Sequence, residues 1–318
     1  MYNFSLLSRR HIDTSAWDDT VRDSTAATLP YAYTGYLDAL TQRHWHGLVL
    51  HPANNPTTYA AVMPLPYNCK LFGIPQIYQP LHCQQLGLFA SPELWETQAP
   101  LLNSILNHIP RRYWRVGTTL NETNTTLANN AGRFVVTPRV NYVLPLERSY
   151  AEIQAGYRSG LKDSLRSAQK HSLRFVSGIG IAAWQRIFER FTAARFTHEG
   201  KNTLPRTFIS DALRIATYNE AAGLGETVGV YSSSGEMLAA AFLLRTEARD
   251  VRRITYLFSA TTEAGRKAKA IPFLLNTIIE THAQTPTLLD FEGSSVAGIA
   301  AFYAGFGAEV RTYYSLHL

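Results

Sequence analysis

Cysteine is nearly absent from the chain: its 318 residues hold two, Cys69 and Cys83, both within one apolar, proline-bearing stretch. That count excludes a disulfide framework, and no Cys/His spacing of the zinc type occurs, so no metal site is expected. The two thiols read as small buried hydrophobes. Charge is sparse too, since Asp, Glu, Lys and Arg make up 17% of the residues against 46% apolar ones, which disfavours disorder and arrays of charged helices. No window approaches ~20 consecutive apolar residues, so no membrane span is expected. The opening MYNFSLLSRRHIDTSAWDDT shows no basic leader followed by a long apolar run, and the expectation is a cytoplasmic chain. There is no internal repeat, no G-x-S-x-G, no phosphate-binding P-loop, no G-x-G-x-x-G after a strand and no H-E-x-x-H.

What is present is a globular composition long enough for two domains at roughly 100–200 residues each. The formal net charge is +6 and the pI near 9.3. Divided at residue 145, the chain carries +2 before the division and +4 after it, so neither half has the strongly basic footprint of a duplex DNA binder. The texture changes at the same place, giving expected domains 1–145 and 146–318. The first is rich in Pro, Asn, Thr, His and aromatics and reads as short strands such as GLVLH and YAAVMPLP between turns. Two helices are expected there, over 33–43 and 92–108, with closing strands over 113–119 and 133–145.

From residue 149 the apolar period becomes helical. Ile153, Tyr157, Leu161, Leu165 and Ala168 form one stripe and predict a single helix over 149–171. A strand over 173–176 and two helices carrying Trp184, Phe188, Phe208 and Leu213 precede a meander over 226–231, 237–245 and 251–260, whose short connections require antiparallel pairing. A helix over 265–283, a strand over 287–291, a short helix over 296–304 and a strand over 309–314 follow. The fold class is therefore mixed α/β (α+β).

Three segments carry candidate chemistry. On the helix 149–171, Arg158, Lys162, Arg166 and Lys170 recur every four residues and form a slowly turning cationic ridge. It is either a solvated face or a cradle for the anionic part of a substrate. In TLLDFEGSS, a strand runs out into Asp290 and Glu292, two residues apart and so on one side of an extended strand, followed by Ser294 at the mouth of a helix. The carboxylates suit an acid, a base or an amine holder, or else cap the turn. In KLFGIPQIYQPLHC, Tyr78 and Gln79 sit in a polar aromatic loop of the kind that lines binding sites.

The element order after residue 149, with IAAFYAGFGAE near its end, resembles the GNAT acyltransferase fold. Together with YRSGLKDSLRSAQKHSLRF and DFEGSS it resembles the FemAB-like branch, in which two GNAT-type domains stand in tandem. The resemblance covers 149–318 well and 1–145 by element order and the opening YAYTGYLDALTQRHWHGLVL. It implies two domains, each a mostly antiparallel sheet flanked by helices, and transfer of an acyl or aminoacyl group to an amine held between them. Acyl-CoA or aminoacyl-tRNA would be the donor substrate with no tightly bound cofactor, and a small-molecule or cell-wall-precursor-like amine the acceptor. By position it implies Tyr303 as proton donor to the leaving group, with Asp290 or Glu292 taking the amine's proton. The place of the pyrophosphate loop reads ATTEAGRKAKAIP, so Gly265, Arg266 and Lys267 are the implied contacts of that group. The span 181–225 has room for two ordinary helices rather than a long coiled-coil arm. The rival expectation is a scaffold of this fold that binds a nucleotide sugar, tRNA or protein without catalysis.

Overall fold

A computed structural model describes residues 1–71, 73–195, 197–198, 201–202, 205, 207–293 and 297–318, side chains 70–71, 193–195, 197–198 and 201–202 excepted. The chain divides into two compact units, Met1–Val140 with Arg311–Leu318, and Asn141–Val310. The sequence pattern had placed the division at 145 and the last strand in the second domain.

Unit 1 begins with β1 (Tyr2–Ser8), α1 (Thr14–Arg22), α2 (Thr34–Thr41), β2 (Trp45–Pro52), β3 (Ala61–Leu71), β4 (Ile74–Ile77) and β5 (Phe89–Ala90). Strands β1 to β4 pair antiparallel in sequence order, and β5 pairs with the start of β3. Pro64 and Pro66 fall where β3 has β2 on one side and neither β4 nor β5 on the other, so their missing N–H groups cost no ladder bond. Gly47 on β2 admits the Trp17 ring, which would lie 2.4 Å from a Cβ at that position. Trp17 meets Trp45 edge-on at 4.9 Å. Asp38 ties this corner, accepting from Arg9 Nε and Trp45 Nε1 at 2.8 Å each.

The rest of unit 1 is α3 (Pro92–Leu102), β6 (Gly117–Thr119), α4 (Thr125–Asn129) and the first half of β7 (Val135–Pro145). Ser91 caps α3 through the Leu94 N–H, and the expected helix to 108 ends instead at Leu102, after a kink at Gln98 ahead of Pro100. The core gathers Leu48, Leu50, Met63, Leu65, Ile105, Tyr113 and Val116. Cys83 is buried as expected, whereas Cys69 is exposed.

Unit 2 contains α5 (Tyr150–Ala155), α6 (Ser159–Ala168), β8 (Arg174–Ser177), α7 (Ile181–Arg195), the two-residue strands β9 (Thr197–His198) and β10 (Lys201–Asn202), and α8 (Phe208–Ala221). After them come β11 (Gly225–Tyr231), β12 (Met237–Ala248), β13 (Val251–Thr261), α9 (Glu263–Lys267), α10 (Ala270–His282), β14 (Thr287–Asp290) and α11 (Ala297–Gly305). The strand order is β7-β14-β13-β12-β11-β8, antiparallel throughout except for β13 and β14. Trp184 and Phe188 of α7 meet Phe258 of the sheet, and Trp184 also meets Phe242. Ala241 and Leu243, one residue to either side of Phe242, join Leu161, Leu274 and Ile278 in the core cluster. Helices thus cover both faces, which is why β12 reads as the unbroken apolar run MLAAAFLL. The last strand, β15 (Glu309–His317), belongs mostly to unit 1 and pairs there with β6 at Ser315↔Thr119.

Two expected helices are broken in two. The stripe over 149–171 is interrupted at Gly156–Arg158: Ser149 and Glu152 close a capping box at the front of α5, and Arg158 caps α6 in an extended conformation. The Arg158 N–H donates to Gly305 O at 2.9 Å instead of continuing the helix. The break keeps Tyr157 buried against Phe306, ring centroids 5.5 Å apart. The second break, at Ala268 and the left-handed Lys269 (φ 59°), puts Pro272 into the first turn of α10, where its missing N–H is not needed. Among the described residues no helix is long and apolar enough to cross a membrane, and no group of three or more His, Cys, Asp or Glu is placed to hold a metal ion.

Candidate functional site

Unit 1 holds a hollow of about 400 Å³ where the end of β4, the strands β6 and β7 and the returning β15 converge. Tyr78 and Gln79 line it, together with Arg115, Thr118, Arg139, Tyr313, Ser315 and His317. The pairing of β15 with β6 brings residues from opposite ends of the sequence into one wall. Gln79 helps to build the site: its Oε1 accepts from the Thr119 N–H at 3.0 Å, and its Nε2 donates one N–H to the Cys83 carbonyl. It positions the wall and keeps a second amide N–H. Arg139 Nε donates to Ser315 Oγ at 3.2 Å, and Ser315 Oγ donates to Thr137 O at 3.3 Å. Arg115 and Arg139 bring two cations to the hollow, and no Asp or Glu lines it among the described residues. The buried Thr118 Oγ1 has no hydrogen-bond partner among the described residues. An orphaned hydroxyl in a lined hollow is a group to which a ligand can supply the missing partner. Sequence analysis found Tyr78 and Gln79 but missed Arg115, Thr118, Arg139, Tyr313, Ser315 and His317. No local signal marks them, because only strand pairing assembles them.

In unit 2 the two expected carboxylates differ in burial. Asp290 is fully buried, its Oδ2 2.5 Å from Arg253 Nη1 and its Oδ1 accepting from the Glu292 N–H at 2.8 Å. Its burial and this ion pair suit a structural counter-ion rather than an acid or base open to substrate. The chain leaves the strand at Asp290 and passes through a left-handed Glu292 (φ 57°), so the rule that residues two apart share a side does not hold there. Glu292 is half-buried. Tyr303 is half-buried too and stacks on Phe291, ring centroids 5.0 Å apart and planes at 21°. Ser294 lies outside the described residues.

Beside these groups β13 and β14 part company. Their last register pair is Thr255↔Asp290, yet β13 runs on to Thr261. On the other side of β13, Phe242 pairs with Phe258 and Leu243 with Tyr256, leaving Leu257 as a bulge with no partner on β12. Thr255 Oγ1, at the point of separation, is buried and unpartnered among the described residues.

The residues implied for a pyrophosphate are differently employed. The Gly265 N–H donates to the capping Thr262 Oγ1 at 2.8 Å, and a Cβ on Gly265 would lie 2.1 Å from Leu238 O, so this glycine serves close helix-to-strand packing. Lys267 pairs with Glu263 at 3.0 Å on the surface, and this pairing holds the Glu263 carboxyl below its ordinary range. The α9 turn therefore does not fit a pyrophosphate cradle.

The cationic ridge is likewise divided. Arg158 lies in the break and Lys170 in a short 3-10 turn, leaving only Lys162 and Arg166 on α6. These two line a groove of about 440 Å³ with Gln154, Leu165 and Gln169. Lys162 Nζ donates to Ala155 O at 3.0 Å, and Arg166 Nη2 sits 2.5 Å from Asp163 Oδ1, so both cations already have partners.

No protein-family model matches the sequence, and no curated protein does. Solved structures do match in fold. FemX is similar with a TM-score of 0.65 at 14% identity, covering 98% of this chain and 96% of its own. L-PGS from Bacillus licheniformis has a TM-score of 0.55 at 10% identity, covering 96% and 91%. A tandem GNAT protein from the clavulanic acid biosynthesis pathway has 0.51 at 11% identity, covering 100% and 98%. With two units of these topologies and these neighbours over nearly its whole length, the chain has the FemAB-like fold of the tandem GNAT type.

Proposed function

We propose that the protein is an acyltransferase that moves an acyl or aminoacyl group onto an amine. The observation that carries this reading is the parting of β13 from β14 after Thr255↔Asp290, with the Leu257 bulge immediately beyond it. Beyond that pair β13 runs past the end of β14, and an extended, amide-bearing donor would lie along it as a further strand does. An N–H aimed at the donor's carbonyl oxygen would stabilise the charge that develops there during acyl transfer. The amine nitrogen attacks the carbonyl carbon, a C–N bond forms, and the C–O or C–S bond to the leaving group breaks. The nitrogen loses a proton and the leaving oxygen or sulfur gains one. Tyr303 is the proposed donor of that second proton and Glu292 the proposed acceptor of the first. Much of the rate could come simply from holding the two substrates together.

The hollow of unit 1, with Arg115 and Arg139 in its lining, suits a ligand that carries an anionic group. The donor is either an acyl-CoA thioester or an aminoacyl-tRNA ester, and the α9 turn favours the ester because it leaves a pyrophosphate uncradled. The same observation favours a second reading, a scaffold that binds without catalysis. Incubating the protein with each donor class and a panel of amines carrying phosphate or carboxylate groups separates them. Donor consumption with amide formation is expected. Binding of an anionic amine with no turnover of either donor would leave the second reading, and neither binding nor turnover would remove both.

A further inference from the structure

We infer that two copies of this chain pair edge to edge through β1, the outer strand of the unit 1 sheet. β1 has β2 on one side, and among the described residues no strand lies on its other side. The backbone bonds fix which of its groups face outward. Leu50 O accepts from the Ala60 N–H at 2.8 Å, and His44 O, just before β2, accepts from the Tyr67 N–H at 3.1 Å. Even-numbered residues of β2 therefore bond toward β3, and the odd-numbered Gly47, Val49 and His51 bond toward β1, where they stand opposite Leu7, Ser5 and Asn3. The Ala53 N–H donates to Met1 O at 3.0 Å in the same phase, and Pro52, which has no N–H, stands opposite Tyr2. The N–H and C=O groups of Tyr2, Phe4 and Leu6, with the Ser8 N–H, are left pointing away from the sheet. No hydrogen bond from another element reaches them among the described residues.

Sheet edges are ordinarily blunted by charge, proline, a bulge or brevity. The strand YNFSLLS has no charged residue and no proline, and its register with β2 runs over all seven residues without a bulge. The strands at other sheet ends are guarded: β4 carries Pro75 and a register shift, and β8 has four residues and begins with Arg174. The outward groups of β1 repeat symmetrically about Ser5, which selects a second copy as the occupant. In an antiparallel pair turned about Ser5, Phe4 of each copy meets Leu6 of the other in a hydrogen-bonded pair, Tyr2 meets Ser8, and Ser5 faces Ser5. Tyr2, Phe4 and Leu6 already pack against the unit 1 core, so each Phe–Leu pair carries that apolar face across the seam. No like charges oppose each other along the paired strands. Such pairing uses the same edge on both copies and so closes at two.

The test is sedimentation velocity of the whole protein over a dilution series. A dimer that dissociates on dilution is expected. Leu6→Pro removes one outward N–H from each copy and no bond to β2, so the dissociation constant should rise about 30-fold. S5K sets two ammonium groups against each other and should give a monomer, and S5E should do the same with two carboxylates. An equimolar mixture of S5K and S5E should pair again. Both variants lose the Ser5 Oγ bond to His51 Nε2, 2.9 Å in the parent, so recovery in the mixture isolates the charges. Melting temperatures confirm that each variant folds. A parent protein that is monomeric at every concentration, whether or not it captures unrelated extended peptides, would overturn the inference. So would a dimer that L6P and S5K leave unchanged, or folded S5K and S5E that stay monomeric when mixed.

Discussion

Asp290 and Arg253 form a fully buried ion pair across the parallel strands β14 and β13, 2.5 Å apart and 0% and 3% exposed at their side chains. Such a pair contributes little net stability when whole, but it is costly to break because the remaining charge is stranded away from water. Asp290→Asn should therefore destabilise unit 2 by about 3–5 kcal/mol, while replacing both residues by apolar ones of similar volume should cost far less. Urea unfolding of the two variants checks this. A single variant as stable as the parent, or a double variant as damaged as the single, would contradict the assignment of Asp290 as a counter-ion.

Thr118 and Arg115 separate binding from stability in the unit 1 hollow. Thr118→Val removes a buried hydroxyl that has no partner, so stability should hold or rise by about 1 kcal/mol. Its affinity for an anionic amine should nevertheless fall. Arg115→Gln should lower that affinity without touching the fold, since Arg115 is exposed. Calorimetric titration alongside thermal melts distinguishes these outcomes from a purely structural role.

Acid should weaken unit 1 through His46. Burial first, and then the nearby Arg112 charge, hold this imidazole below its ordinary value of 6.5. The unfolded chain thus takes up a proton at a higher pH than the folded one, so the stabilisation is complete above about pH 6.5 and is lost as the pH falls toward the lowered folded value. His282 of unit 2 is lowered as well, again chiefly by burial, and adds to the trend. Melting temperatures recorded between pH 7.5 and pH 5, roughly the range in which histidine titrates, should decline, and His46→Gln should flatten the decline.

Gly265 should matter for packing and not for a nucleotide. Gly265→Ala drives a methyl group toward the Leu238 carbonyl, 2.1 Å from its ideal position. Overpacking of this kind costs about 1–3 kcal/mol. The variant should melt earlier yet show the same KM for whichever acyl donor proves active, whereas a raised KM at unchanged stability would restore a donor-binding role.

Tyr303→Phe should lower kcat by more than any change in melting temperature accounts for, because the ring keeps its stack on Phe291. Equal losses in stability and rate would make Tyr303 a packing residue instead.

Much of this fold can be read in the residues. The apolar periods of α7 and α8, the three-strand meander and the buried run of β12 follow from patterning, because each is set by which faces are covered. The breaks at Gly156–Arg158 and at Lys269 are harder to see. In the first, the apolar stripe continues through the gap, since Tyr157 must be buried whether or not the helix persists. In the second, Pro272 was the visible warning. The misreading of Asp290 and Glu292 has a different origin: period-two logic assumes an extended strand, and the chain leaves that conformation between them. The hollow of unit 1 was legible only at Tyr78 and Gln79. Arg115, Arg139 and His317 stand alone in sequence, and nothing short of the β6-to-β15 register reveals that they meet.

Unit 1 is built from two stretches of chain, Met1–Val140 and Arg311–Leu318, with all of unit 2 encoded between them. On the ribosome, where an earlier domain ordinarily folds while a later one is still being made, this order must be relaxed. The first 140 residues emerge without the strand that carries Tyr313, Ser315 and His317, and they must wait for 170 further residues before that wall can close.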